Sequence, residues 1–340
     1  MSKTPLELTR SEILAHRRRV GALDQRLPTS RASIEHAALA GLQDSMPRAA
    51  LLSIHARVEG TEPTTWEDPA LIQVWGPRFS AYVIAARDRA LFTLGRLPDD
   101  AKGRRRAEET AARLHEFLAG RRMRYDDAGD AMGMNPNALR YAAPTGTVLM
   151  RWEGARRPVI WSVPPPDMEP TEARHELARR YIHTFGPTTA AAFAEWAGIG
   201  TGEGRRAFEA LTPELAPAVT PIGEGSVLVS DEASFRAPPS PAAPARLLPS
   251  GDPYFLLWGR DRAVLVPDET RRGELWTSRV WPGALLVDGE IMGVWRRANA
   301  LVEVETWRRP SAVERAAVEA EAASLPLPGL TGPITVRWSD

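Results

Sequence analysis

The sequence predicts an α+β chain in which units of three helices and a β-hairpin recur in tandem before a small β-rich closing domain. Three observations carry this expectation. Through the first 236 residues, helical periodicity gives way to alternating β-type runs and returns at domain-sized intervals. A proline-rich connector, Pro238-Pro239-Ser240-Pro241-Ala242-Ala243-Pro244, then interrupts helical order. Beyond it, apolar and aromatic runs follow one another with tight turns such as Asp288-Gly289. A chain of 340 residues also exceeds what one hydrophobic core usually serves.

The first unit, 1–101, reads as helices over Leu8 to Leu23, Ser33 to Leu42 and Pro47 to Val58, the third opened by a proline that presets its first turn. A loop with Thr61-Glu62-Pro63, a strand over Phe79 to Ile84 and a helix over Arg87 to Leu97 complete it. The second unit, 102–166, has helices at Arg104 to Leu118, Asp126 to Met132 and Pro136 to Tyr141. A hairpin of Thr147 to Trp152 and Pro158 to Val163 follows, turning through Gly154. Three helices and a basic hairpin form the winged-helix plan, a helix-turn-helix variant whose last helix reads the major groove while the hairpin touches the backbone. The third unit, 167–236, repeats it with helices at Thr171 to Thr184, Thr188 to Gly198 and Gly204 to Leu211, then strands at Ala218 to Ile222 and Ser226 to Val229. The closing unit, 237–340, has strand-like runs at Tyr254–Trp258, Ala263–Val266, Ala284–Val287, Ile291–Arg296, Leu301–Trp307 and Ile334–Trp338. An amphipathic helix at Ser311–Leu325 carries Glu314, Glu319 and Glu321 on its outer face.

Composition narrows the function classes. A hydrophobic share of 43% and a charged share of 25% are those of an ordinary globular protein, with no apolar run of membrane-spanning length. Charges scattered through the N-terminus do not fit a signal peptide, so a cytoplasmic, nucleoid-associated monomer without a membrane partner is expected. Without cysteine there are no disulfides, thiol nucleophiles or thiolate metal sites. His16, His36, His55, His115, His175 and His183 show no metal-binding spacing, and His183 reads as a cation at a helix C-terminus. No nucleotide-binding or serine-hydrolase motif is present, so neither metal nor cofactor is expected.

The net charge is zero, yet of 43 basic residues only Lys3 and Lys102 are lysine; the rest are arginine, whose planar fork suits phosphate and guanine. Arg104, Arg105 and Arg106 precede the second unit's recognition region, and Arg140, Arg156 and Arg157 fall on its third helix and hairpin, making all six candidates for double-stranded DNA. Trp152, Trp161, Trp295 and Trp307 read as core residues, whereas Trp66 and Trp75 lie in loop-like surroundings.

Several pieces in order carry a family resemblance: Gly41-Leu42-Gln43 with Arg48-Ala49-Ala50-Leu51-Leu52-Ser53, Phe185-Gly186-Pro187-Thr188 with Trp196-Ala197-Gly198, Leu247-Leu248-Pro249 with Asp252, and Gly293-Val294-Trp295-Arg296-Arg297. Across nearly its whole length the chain resembles the AlkZ/YcaQ-like winged-helix DNA glycosylases, which remove bulky N7-alkylated purines and unhook interstrand crosslinks. The resemblance implies a catalytic motif of glutamine, an apolar residue, then glutamine or aspartate at the end of the second helix. The matching positions read Gln43-Asp44-Ser45, so the first amide is kept and the last catalytic group is replaced by a hydroxyl. Tyr82 stands where the family commonly carries histidine, and Arg48 and Arg78 flank these positions as DNA-binding candidates. The same tripeptide also fits a plain helix end at which Asp44 or Ser45 caps the next helix. Two functions therefore stand: a monofunctional glycosylase using Gln43, Asp44 and Ser45, and a non-catalytic DNA-binding relative. Protein association through the winged helices is a third, which salt-insensitive DNA binding would favour.

Overall fold

The computed structural model describes residues 4–46, 48–153, 157–330 and 332–339; Pro47, Gly154 and Arg156 lie outside these. Within the described residues the chain builds a mixed α+β architecture around three sheets. A six-stranded sheet runs in the spatial order Leu42–Gln43, Ala81–Ala85, Leu71–Trp75, Val148–Arg151, Val159–Ser162, Met123–Arg124. Its first three strands belong to the first expected unit and its last three to the second. They meet at one register pair, Gln73 opposite Met150. The two units therefore share a sheet, which linear spacing does not reveal.

Helix Ala101–Leu118 is started by Asp100, whose carboxylate accepts from the Gly103 N–H at 2.7 Å. It packs Ala111, Leu114 and Leu118 against Leu139, Ala142 and the hairpin residues Val148, Met150 and Ile160. The segment expected as a third α-helix, Pro136–Tyr141, is instead a 3-10 helix over Pro136–Thr145, with Pro144 inside it. Proline has no N–H for an α-helical ladder, which fits the tighter winding.

The third unit forms helices Pro170–Phe185, Ala190–Ala197 and Thr201–Ala210 and the hairpin Leu215–Thr220/Gly223–Leu228. Leu6–Glu7 pairs in parallel with Ala218 and Val219, so the N-terminus completes this distant sheet. Tyr181, Phe185, Phe193 and Trp196 stack in its core.

In the closing unit, strands Ala245–Leu248, Gly283–Val287, Glu290–Ala298 and Leu301–Thr306 form an antiparallel sheet, with Thr335–Ser339 added in parallel. Asp288 and Gly289 make the expected tight turn at φ 49° and 80°. Helix Ala312–Ala323 covers one face through Val318 and Ala322.

Four further expectations require correction. Tyr254–Trp258 is not a strand: the Asp252 carboxylate accepts from the Tyr254 N–H at 2.9 Å and winds Pro253–Phe255 into a 3-10 turn, while Gly259 at φ 56° ends the run. Ala263–Val266 is a helical turn, Arg262–Leu265, closed by the Val266 N–H donating to the Arg262 carbonyl at 2.9 Å while Val264 and Leu265 are buried. Glu321 faces inward and takes both carboxylate contacts from Arg26, at 2.8 and 2.9 Å. Gln43 does not end a helix: the second helix is Arg31–Ala37, and Gly41 at φ 70° redirects the chain into the strand Leu42–Gln43. A β-carbon at Gly41 would lie 2.8 Å from Phe92 and 3.0 Å from Tyr82, so glycine is required there twice over.

Among the described residues no helix is long and apolar enough to cross a membrane.

Candidate functional site

Three adjoining hollows of about 450, 350 and 400 Å³ run across the faces of the first, second and closing units. Ser45, Arg78 and Ser80 belong to the first two, and Met46, Ser250, Val280 and Trp281 to the last two, so they form one cleft. Side chains alternate along the segment that leaves strand Leu42–Gln43: Gln43 and Ser45 face the cleft and Asp44, whose N–H donates to the Ala81 carbonyl, faces away. The Gln43 amide donates to the Ser45 hydroxyl at 3.2 Å. Gly251, at φ 78°, lies against Gln43, and a β-carbon there would sit 2.5 Å from its Oε1. Gly251→Ala is therefore expected to displace the amide, while the strain of a β-carbon at φ 78° costs about 1–2 kcal/mol and lowers the thermal midpoint by about 3 °C. Paired melting and DNA-binding measurements check this.

Asp44, expected in the catalytic set, is only 2% exposed and lies behind the strand. One oxygen accepts from the Ala50 N–H at 3.0 Å, in the first turn of helix Ala49–His55, and the other from the Gln73 amide at 2.9 Å. Capping thus describes Asp44 as it sits. Burial pushes its carboxyl up to about 7, against the lowering effects of the two N–H donors and of Arg48 and Arg151. From the ordinary value of 3.8 to about 7, the folded protein keeps a proton that the unfolded chain has released, so this group's contribution to stability falls as pH rises across that window. Asp44→Asn is expected to flatten that slope, measured as urea midpoints at acid and mildly alkaline pH.

Tyr82 is buried with its ring between Gly41 and Gly76 and lines the hollow that holds Gln43. Burial raises its phenol further, so it remains protonated and able to donate. Arg96, which composition did not single out, sits behind it. Its guanidinium donates to the carbonyls of Trp75, Phe92 and Ala197, and burial brings it down to about 10. It thereby anchors the turn Gly76–Ser80, in which Arg78 and Phe79 both hold positive φ, at 56° and 57°. Arg78 is exposed, lines two hollows and lies 5.0 Å from the Trp258 ring centroid.

Of the other predicted DNA contacts, Arg140 and Arg157 line the first hollow beside Tyr125, whose hydroxyl accepts from Arg157 at 3.3 Å. The Arg140 Nε is buried with no protein partner among the described residues. Arg106 stacks on Tyr141, which in turn meets Phe79 edge-on at the cleft wall. Arg104 turns toward Asp99 and Pro98, and Arg105 is exposed. Arg48 stacks at 3.9 Å on Trp66, which Arg151 sandwiches from 3.7 Å; Trp66 is core, not a surface platform. Trp75 ends the strand Leu71–Trp75 and is likewise buried, not in a loop. Trp152, read as core, is half-buried: it packs against the second unit's core and also lines the cleft. The closing unit adds residues that sequence reasoning missed: Trp258, Arg279, Trp281, Arg296 and Arg297. Tryptophan and arginine clustered near Gly259 and Pro282 were the available signal.

Six arginines thus line the cleft: Arg78, Arg140, Arg157, Arg279, Arg296 and Arg297. Among the described residues no aspartate or glutamate lines it. Only Arg157 has an acidic partner among the described ion pairs, Asp126 at 3.6 Å. The acidic residues that balance the total charge lie elsewhere.

One side-chain cluster lies apart. His16, His183 and Asp231 come within metal-ligating distance of one another, a grouping that linear spacing did not suggest. Each His16 nitrogen is already engaged at 2.9 Å, by the Ser234 hydroxyl and the His183 carbonyl. His183, expected to serve the helix dipole alone, pairs with Asp231 at 2.9 Å.

The profile of proteins described as "DNA glycosylase AlkZ-like" matches residues 34–326. A Streptomyces sahachiroi protein named "interstrand DNA cross-link repair glycosylase" is 28% identical over 160 residues; the match spans 46% of this chain and 42%, less than half, of that relative. The solved structure of Streptomyces sahachiroi DNA glycosylase AlkZ superposes with a TM-score of 0.78 at 17% identity, covering 98% of this chain and 100% of that one, which establishes a shared fold. With the profile match covering most of its length, the chain belongs to the AlkZ-like DNA glycosylase family.

Proposed function

We propose that this protein grips duplex DNA in the arginine-lined cleft and hydrolyses the glycosidic bond of an N7-alkylated purine held beside Gln43. The observation that carries the DNA part is the cleft itself: among the described residues it has six arginines, aromatic walls and no lining carboxylate, in a chain whose total charge is zero. On this reading the helices 101–131 with the hairpin Val148–Ser162, and the helices 170–210 with the hairpin Leu215–Leu228, act as winged helices that position the duplex. Trp258 and Trp281 offer π faces to a cationic base.

The chemistry asks little of the enzyme. Alkylation at N7 leaves the purine positively charged, so its glycosidic bond is weakened and the departing base needs no strong acid. What remains is to hold a water and to stabilise an oxocarbenium-like transition state with fixed dipoles. Gln43 and the Ser45 hydroxyl supply such dipoles, and Tyr82 supplies a proton donor.

A second reading, a lesion-binding protein that does not cut, is favoured by one observation: the only carboxylate in the motif, Asp44, points away from the cleft. Incubation with duplexes bearing N7-methylguanine or a nitrogen-mustard crosslink, followed by alkali, separates the two. Strand breaks above buffer level support excision; their absence removes it and leaves the binding reading.

DNA binding has its own measurement. Replacing Arg78, Arg140 and Arg157 together by alanine is expected to lower the slope of log affinity against log salt by about three, close to one per lost phosphate contact. An unchanged slope removes these arginines from the interface, and a flat slope in the wild-type protein removes the DNA reading altogether.

A further inference from the structure

We infer that Gln73 is a positioning residue that couples the two walls of the cleft, holding Trp152 on one side and the Gln43-Asp44-Ser45 segment on the other through a single hydrogen-bonded chain. Gln73 lies on the central strand Leu71–Trp75 and is buried. Its Oε1 accepts from the Trp152 backbone N–H at 2.6 Å, and its amide nitrogen donates to Asp44 at 2.9 Å. Asp44 in turn accepts from the Ala50 N–H at 3.0 Å. Among the described residues, backbone pairing between the strands of the first and second units is confined to Gln73 opposite Met150. The next tie toward the hairpin tip is therefore a side chain standing in for a strand partner.

The polarity of this chain is fixed at both ends. Trp152 and Ala50 present backbone N–H groups, which donate and never accept. Gln73 must therefore turn its oxygen to Trp152 and its NH2 to Asp44, and Asp44 must offer an acceptor oxygen to each neighbour. Arg48 and Arg151 are the charged groups that face the carboxylate. Because Gln43 and Ser45 flank Asp44 in the chain, any slip at Gln73 moves both of them relative to Trp152, which lines the facing wall.

An exchange of the two functional groups tests this. Asp44→Asn alone and Gln73→Glu alone each set like against like: the first places one amide NH2 against another, and the second places two carboxylates together. The double variant, Asp44→Asn with Gln73→Glu, restores each bond of this chain and gives up only the longer 3.4 Å bond from the Gln73 amide to the Trp152 carbonyl. The amide oxygen at position 44 then accepts from the Ala50 N–H, the NH2 at position 44 donates to the carboxylate at position 73, and that carboxylate accepts from the Trp152 N–H. The inference rests on the glycosylase reading for its rate measurement. In single-turnover excision of N7-methylguanine at saturating protein and mildly alkaline pH, each single variant is expected to be slower by about 10- to 100-fold, as misplacement by about an ångström would produce. Affinity for undamaged duplex, which the arginines carry, should stay within about threefold. The double variant should recover most of the rate. Hydrogen exchange at the Trp152 amide should quicken about tenfold in the single variants and return in the double.

Unchanged rates and exchange in the single variants overturn the inference, as does a double variant no better than either. If the wild-type protein excises nothing, the glycosylase reading fails by itself. The coupling is then judged on Trp152 exchange together with the preference for lesion-bearing over undamaged duplex, which the single variants lose and the double regains.

Discussion

Gln43→Ala is expected to lower excision of an N7-alkylated purine by about 10²- to 10³-fold, the usual consequence of removing one fixed dipole from a transition-state site. The amide faces the cleft, is braced by Gly251 behind it and touches Ser45. Ser45→Ala should change the rate by less than about threefold, because a hydroxyl that has no base beside it holds a water but activates it weakly. No lining carboxylate supplies that base among the described residues. Ser45→Gln should raise the rate by placing a second amide where the family's motif ends. Single-turnover rates on an N7-methylguanine duplex read all three. Equal losses in Gln43→Ala and Ser45→Ala would show that the water sits elsewhere in the cleft.

Asp252→Ala is expected to destabilise the fold by about 3–5 kcal/mol, the cost of leaving one member of a buried ion pair alone. Asp252 is fully buried, and its two oxygens accept from Arg57 at 2.7 and 2.8 Å while one also receives the Tyr254 N–H. Arg57 is almost as deep and donates a further bond to the Ser53 carbonyl at 2.8 Å. Removing the carboxylate strands that guanidinium without water. Replacing both partners by apolar residues of similar volume should recover much of the stability. It should not recover activity, since Asp252 also fixes the loop that sets Gly251 against Gln43. Urea unfolding with the excision assay reads both; a loss below about 1 kcal/mol in Asp252→Ala would mean that solvent reaches Arg57 after all.

What the sequence disclosed depended on which physical signal each element left. The hairpin around residues 148–162 was legible because its strands are β-rich and separated by a glycine-bearing turn, and helix Ala101–Leu118 because its apolar face repeats at helical spacing. Strand Leu71–Trp75 escaped notice although it is at the centre of the largest sheet: it is covered on both faces, so it does not alternate. Tyr254–Trp258 failed for the converse reason, since a short apolar run looks the same whether it winds or extends. At the site, Gln43 and Ser45 were legible only through resemblance, and the orientation of Asp44 was not legible at all. That orientation follows from a strand in place of the expected helix end, and a change of element type alters which neighbours share a face. Trp152, Trp258, Trp281 and the closing unit's arginines come from chain segments far from the motif, and no local pattern announces such convergence.

The parallel pairing of Leu6–Glu7 with Ala218 and Val219 bears on how the protein is made. During translation Leu6 and Glu7 leave the ribosome long before their strand partner is synthesised. Helix Arg10–Val20, whose buried Arg17 bonds the carbonyls of Phe185 and Gly186, must wait for the same stretch of chain. The second unit is complete well before then and is free to fold first, while the N-terminal segment stays undocked and exposed to proteases. The strand that closes this sheet is thus synthesised some two hundred residues ahead of its partner and is among the last to find its place.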